Sequence, residues 1–224
     1  DEWLLHLFSI PAAVRNLKTA VKSELAQSWA DFHPLKELDA MPQRPLIGKV
    51  IAETVEAFSR NRNPAAVDMA LDRLMQQIVL LVSSSSAFMT GYFGLHADVE
   101  NLRTLVRLKV REGAEGDLAG EAEAAFLPGG TLTLASLLAA LPQPWPAVME
   151  LLAKAPPYGA GSEYFHDYLE QGRAAVTDRR SFTRMERLGR EAELRYLRQT
   201  RYATFGYEPL VAFFLLRENE QRNL

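Results

Sequence analysis

Val99-Glu100-Asn101-Leu102-Arg103-Thr104-Leu105-Val106-Arg107 decides how this chain is read, because nearly the same nine residues stand near its start. There the sequence is Val14-Arg15-Asn16-Leu17-Lys18-Thr19-Ala20-Val21-Lys22, 85 positions earlier, and the shared pattern is V-x-N-L-(K/R)-T-x-V-(K/R). A third, partial copy is Glu220-Gln221-Arg222-Asn223-Leu224, in which Glu220 precedes Asn223 by three residues as Asp98 precedes Asn101. The apolar positions recur at spacings of three and four, the signature of one helix face. Self-similarity over such a distance means units that reuse the same packing. The chain is therefore one helical unit used repeatedly.

Bulk properties narrow the class. The 224 residues are 48% hydrophobic and 24% charged, ordinary for a globular chain with a sizeable core. A formal net charge of −3 argues against a nucleic-acid binder working through bulk charge. With no cysteine, neither a disulfide nor a thiolate metal site can form, which fits a reducing compartment. The longest apolar run, Ile78 to Val82 before Ser83-Ser84-Ser85-Ser86, is far below the roughly 20 residues that span a bilayer. Asp1 has no Met before it and Leu224 interrupts a repeated motif, so a piece of a longer protein is expected.

Helices dominate the pass along the chain. Val14, Leu17, Val21 and Leu25 form one stripe, and Ser9 and Pro11 stand where a helix start would put them. A short element over 35–40 stops at Met41-Pro42-Gln43. Pro45 opens an amphipathic helix with Ile47, Val50, Ile51, Val55 and Phe58 on one side. Asn63 caps the next, which carries Val67, Leu71, Leu74, Ile78, Leu81 and Val82, runs on toward Phe88, and is broken by Gly91-Tyr92-Phe93-Gly94. The serine run inside it is either a close helix–helix approach, the reading favoured here, or a local break. The signature helix then starts near Ala97-Asp98, with Asp98 facing the N-terminal dipole, and ends near Glu112-Gly113.

Further helices are predicted over 121–126, over 134–141 with Thr131 or Thr133 as cap, over 145–154, over 162–170, over 180–202 and over 210–224, with a turn at Leu127-Pro128-Gly129-Gly130. Leu138-x-Ala140-Leu141-Pro142-Gln143 repeats Leu38-x-Ala40-Met41-Pro42-Gln43. No stretch alternates with period two between turn pairs, so the fold class is all-α. Residues 1–94 hold one signature helix and the first helices of the next unit. Residues 95–206 hold the central signature helix and the unit that follows it, and 207–224 begin the last.

An asparagine suits a helix interior poorly, since its amide competes for backbone partners. At one step of two helices it suggests a tie to a neighbouring loop or helix end; the alternative is an amide facing water. Chemistry is harder to find. His6, His33, His96 and His166 stand in no metal-binding frame, and His166, Asp167 and Glu170 read as a solvated helix face before they read as ligands. Gly129-Gly130 and Gly159-x-Gly161 lack the lysine and spacing of a phosphate loop, and the serine run lacks a nucleophile elbow. The run Arg179, Arg180, Arg184, Arg187, Arg190 is a solvated face or a docking strip for acidic partners or lipid headgroups.

These residues resemble the C-type central-stalk family of the V/A-type rotary ATPases, whose eukaryotic members are called d. The resemblance is carried by Asp98-x-x-Asn101-Leu102-Arg103, Glu220-x-x-Asn223-Leu224, Asn63-Pro64-x-x-x-Asp68-x-x-Leu71-Asp72, Leu127-Pro128-Gly129-Gly130, and above all Ala203-x-Phe205-Gly206-x-Glu208-Pro209-Leu210. Ala13 departs from the pattern, standing where the family has an acid before Asn16. The resemblance implies a funnel of helices with pseudo-threefold character whose repeat signature includes Asn16, Leu17, Asp98, Asn101, Leu102, Arg103, Glu220, Asn223 and Leu224. It implies a coupling component with no catalytic site, no cofactor and no metal, lying on the cytoplasmic face of the membrane without spanning it. Its mouth would receive the rotor shaft, formed by the D and F subunits, and its base would rest on the membrane proteolipid ring. Phe93, Leu95, Tyr207 and Leu210 are the expected apolar rim against that ring. The competing readings are a helical-repeat interaction scaffold with other partners, and an enzyme whose site lies around His166, Asp167 and Glu170.

Overall fold

The computed structural model describes residues 10–11, 14–19, 44–111, 118–153, 163–179, 181–202 and 208–221. Among them every regular element is helical and none is a strand; the protein is all-α. Residues 35–43, residues 112–116, the 156–161 break, Ser9, His6, His33, Tyr207, Asn223 and Leu224 lie outside the described residues, as do the side chains of His166, Asp167, Arg179 and Glu220.

Helix α1 (Arg44–Asn61) and helix α2 (Pro64–Ser83) form a hairpin. Its two-residue turn places Arg62 at φ 50. Asn63 then caps α2, its side-chain oxygen accepting from the Ala65 and Ala66 amides at 3.0 and 3.4 Å, with Pro64 in the first turn where a missing N–H costs nothing. Ile51 and Phe58 of α1 meet Val67, Leu71, Leu74 and Ile78 of α2, and Ile10, Val14 and Leu17 of the N-terminal helical segment join the same core.

Helix α3 (Ala87–Val110) follows after three serines. Here the structure corrects one sequence reading and decides another between its two alternatives. Gly91 and Gly94 do not break the helix, and the serine run is the break itself. Serine hydroxyls make that possible by satisfying the loose helix ends. The Ser86 hydroxyl accepts from the Met89 amide at 3.3 Å, the Ser84 hydroxyl donates to the Leu81 carbonyl at 2.8 Å, and the Thr90 hydroxyl donates to the Ser83 carbonyl at 3.1 Å. Gly91 stays helical for a packing reason: a Cβ there would run into the Tyr196 hydroxyl.

Four shorter helices and two longer ones complete the described residues. They are α4 (Leu118–Ala125), α5 (Leu134–Ala140, capped by Thr133), α6 (Trp145–Ala153), α7 (Glu163–Arg179), α8 (Thr183–Arg198) with a 3-10 turn over Gln199–Tyr202, and α9 (Glu208–Gln221). Helix α7 runs well past the expected stop at 170, and Gly172 within it lies against Met185 of α8. Helix α3 is about 36 Å long at 1.5 Å per residue and serves several cores. Met89 belongs to the α1–α2 core. Leu95, Val99, Leu102, Leu105, Val106 and Leu108 belong to a second core with α4 to α8. Phe88, Tyr92 and Phe93 meet Tyr196, Leu197 and Ala212 beside α9.

Candidate functional site

What distinguishes α3 is the polar fastening along it. Asp98 is wholly buried, and its carboxylate accepts from the Thr131 amide and hydroxyl, both at 2.8 Å, and from the Leu132 amide at 3.1 Å. One turn further on, Asn101 makes a two-way bond with one residue of the same loop. Its amide donates to the Leu127 carbonyl at 2.9 Å and its oxygen accepts from the Leu127 N–H at 2.7 Å. Residues three apart share a helix face, so the pair grips both ends of the 127–132 loop. The glycines between fit that grip: Gly129 has φ +92, and a Cβ on Gly130 would collide with the Asp98 carboxylate. Asp98 was expected at a helix N-terminus; it lies in the middle of α3, because the helix starts at Ala87.

The fastening continues to the C-terminal end. The Lys109 ammonium, buried, donates to the Leu141 and Gln143 carbonyls at 2.7 Å each and lies 5.2 Å from the Trp145 ring centre. It thereby satisfies carbonyls left open where α5 ends. Three side chains from other helices bond back into the main chain of α3. The Tyr168 hydroxyl donates to the Val99 carbonyl, the Tyr196 hydroxyl to the Phe88 carbonyl, and the Gln76 amide to the Phe93 carbonyl, all at 2.9 Å. Burial pushes both tyrosine hydroxyls above their ordinary pKa, so they stay protonated as donors.

Charged contacts join α3 to α8. His96 Nδ1 lies 2.7 Å from a Glu193 carboxylate oxygen. Burial disfavours the imidazolium, yet Glu193 and then Glu100 outweigh both burial and Arg103, and the His96 pKa is raised to about 9. Arg103 pairs with Glu100 on its own helix and lies 3.9 Å from Glu186 of α8.

The other side of this network opens on a cleft of about 600 Å³ between α2, α3 and α4. Asp68 and Asp72 line one wall and Arg103, Arg107 and Arg111 the other, with Glu121 at the α4 end. Lys18 of the N-terminal segment bonds to Asp72 and lies 3.9 Å from Asp68. Arg111 pairs with Glu121 at 2.7 Å. No group of three or more potential metal ligands is gathered among the described residues.

With this geometry in view, comparison with known families is decisive: the model of the ATP synthase (C/AC39) subunit family matches residues 2–224. The chain belongs to that family. The resemblance to the C-type (eukaryotic d) family of V/A-type ATPases, read from the asparagine-marked motifs, is thereby shown. No curated protein and no solved structure matches the chain.

Within this family member the residues singled out in the sequence have different surroundings. Leu17 and Leu102 are fully buried, Asn101 and Asp98 are buried and bonded, and Arg103 is half-buried on the cleft wall. Asn16 is exposed. Of the expected rim, Leu95 is buried in the second core, Phe93 is half-buried, and Leu210 is 48% exposed on α9 beside Phe213 and Phe214. Among the arginines of the basic run, Arg184 donates to Gln171 at 2.6 Å and Arg187 lies 3.6 Å from Glu191. Glu170 is exposed. Sequence reasoning missed Lys109, His96, Gln76, Tyr168 and Tyr196. Their partners lie 17 to 108 positions away, and no local spacing announces such ties. Among the described residues no helix is long and apolar enough to cross a membrane.

Proposed function

We propose that the chain is a non-catalytic central-stalk component of a V/A-type rotary ATPase. In this reading it is a socket that couples the rotor shaft, formed by the D and F subunits, to the membrane proteolipid ring, so that ATP turnover is linked to proton or sodium transport. It would lie at the cytoplasmic face, held to the membrane through the ring. The observation that carries the reading is membership of the ATP synthase (C/AC39) subunit family along nearly the whole sequence.

The bracing of α3 supports it on physical grounds. A part that transmits torque must keep its shape under shear. Packed apolar helices can slide past one another by small steps, whereas a hydrogen bond is lost after a few tenths of an ångström or a modest change of angle. Helix α3 is joined to its surroundings by six buried or half-buried polar side chains, Asp98, Asn101, Lys109, Gln76, Tyr168 and Tyr196, each bonded to main chain. Main-chain partners are part of the scaffold, so the ties resist sliding.

The test is assembly of the rotary complex with and without the full-length chain, measuring ATP hydrolysis and ion pumping together. Hydrolysis that continues while pumping is lost when the chain is left out, and returns when it is added, supports coupling. A full-length chain that copurifies with neither shaft nor ring would overturn the reading in favour of an interaction scaffold with other partners.

A further inference from the structure

The arginines of the cleft form a row in which one member is unlike the others. Arg103, Arg107 and Arg111 are four residues apart on α3, hence on one face, and all three line the cleft. The two outer guanidiniums are neutralised from within the molecule. Arg103 is held by Glu100 and Glu186, and Arg111 by Glu121. Arg107, between them, is exposed and makes no ion pair among the described residues. Of the acids across the cleft, Asp72 is bonded to Lys18 and Asp68 lies 3.9 Å from the same ammonium. Among the described residues, the cleft thus has a balanced rim with an uncompensated cation at its centre.

We infer that this cleft is a docking site for a protein segment that sets a carboxylate against the Arg107 guanidinium. The inference rests on the functional reading above, in which the partner is the tip of the rotor shaft. A protein fits better than a polyanion for an electrostatic reason. Asp68, Asp72, Glu100 and Glu121 line the same cleft, and a nucleic acid or polyphosphate would bring its like charges against them. A helix or loop can turn one carboxylate to Arg107 and show neutral or basic side chains to the acids. Guanidinium and carboxylate form bidentate, charge-assisted bonds whose geometry fixes register, which is what a rotating joint needs. Thr104, one turn before Arg107 on the same lining, adds a hydroxyl for the same segment.

The experiment titrates the full-length chain with the purified D and F shaft subunits at low and moderate salt, by calorimetry. Arg107→Glu weakens binding about tenfold or more, as expected when a charge-assisted contact becomes a like-charge one, and flattens the salt dependence. Arg107→Lys keeps part of the affinity, and Arg198→Glu, a charge reversal on exposed α8, changes it little. Thermal unfolding of Arg107→Glu matches wild type, since the side chain makes no ion pair among the described residues. Equal binding by wild type and Arg107→Glu would overturn the proposal while leaving the functional reading intact, and so would an equal loss in Arg198→Glu. Displacement of the shaft by millimolar inorganic phosphate in an Arg107-dependent way would overturn it in favour of a small-anion site. A wild-type chain to which neither shaft protein binds would overturn the functional reading and this proposal together, a failure visible without any variant.

Discussion

The helical segment around Asn16 and the helix around Asn101 start from nearly the same nine residues and use them differently. Their apolar positions agree: Val14 and Leu17 are buried as Val99 and Leu102 are. Their polar positions diverge. Asn101 is buried and bonded at both ends of its amide, while Asn16 is exposed. Asp98 grips a loop where the earlier copy has Ala13. Lys18 and Arg103 occupy the same step and end on opposite walls of one cleft, Lys18 on the acids of α2 and Arg103 on Glu100 and Glu186. A duplicated pattern therefore preserves what is buried for its area, since burial depends only on facing a core. It does not preserve a hydrogen bond, which needs a particular partner at a particular distance.

The sharpest way to break this comparison is to remove the polar residue from each copy. Asp98→Ala strands the Leu132 amide and releases Thr131. It should cost about 3 kcal/mol, in the range for buried bonds to a charged group. For a chain of this size that is roughly 6–12 °C of melting temperature. Asn101→Ala should cost about 2 kcal/mol through the unpaired Leu127 groups, and Asn16→Ala no more than about 0.5 kcal/mol, the usual scale at an exposed position. Urea unfolding of the three variants decides the matter. Equal losses for Asn16→Ala and Asn101→Ala would mean that both copies hold a loop, and the contrast would fall.

Gly130→Ala probes the same grip from the loop side. The added methyl displaces the Asp98 carboxylate from Thr131 and Leu132, an overpacking change worth about 1–2 kcal/mol. In the double variant Gly130→Ala with Asp98→Ala the two costs should not add, because the second removes the group the first displaces. Full additivity, measured by the same unfolding, would show that Gly130 matters for turn geometry alone.

These contrasts also explain what the sequence could reveal. The helices over α1, α2, α4 to α6 and α9 were legible because a 3.6-residue apolar period is a local property, and the Asn63 cap and the turn at 127–130 have local signatures too. The break between α2 and α3 was misplaced because two glycines look like punctuation in a string. In space Gly91 admits the Tyr196 hydroxyl, and Ser84 and Ser86, in a run that read as a packing motif or a break, satisfy the helix ends. The tie at Asn101 could be suspected from repetition, but its partner could not be named. Lys109, Tyr168 and Tyr196 gave no signal at all, because each meets a carbonyl more than 30 positions away. The row of three arginines has a regular spacing that the sequence reading did not single out. That its middle member is uncompensated is a fact about Glu121, Glu100 and Glu186, which only the fold brings to the row's two ends.

The smallest expected effect separates the two ways α3 is held, by neutral ties to loops and by charge to α8. His96 is raised in the folded protein from 6.5 to about 9, facing Glu193 on α8 and Glu100 and Arg103 on α3. A raised pKa means the folded state binds the proton more tightly than the unfolded one. The pair's contribution is then complete below about pH 6.5 and is lost as pH rises through about 9. Wild-type stability should decline across that window more steeply than that of His96→Gln, which has no proton to lose, and the imidazole resonance should titrate near the top of it. The side chain is about a third exposed, so solvent screening keeps the slope shallow. A shallow slope still discriminates, because Asp98→Ala lowers the whole curve without changing its shape in this window. If both variants tilted the curve alike, the α3–α8 contact would depend on the loop brace, and the two kinds of fastening would be one.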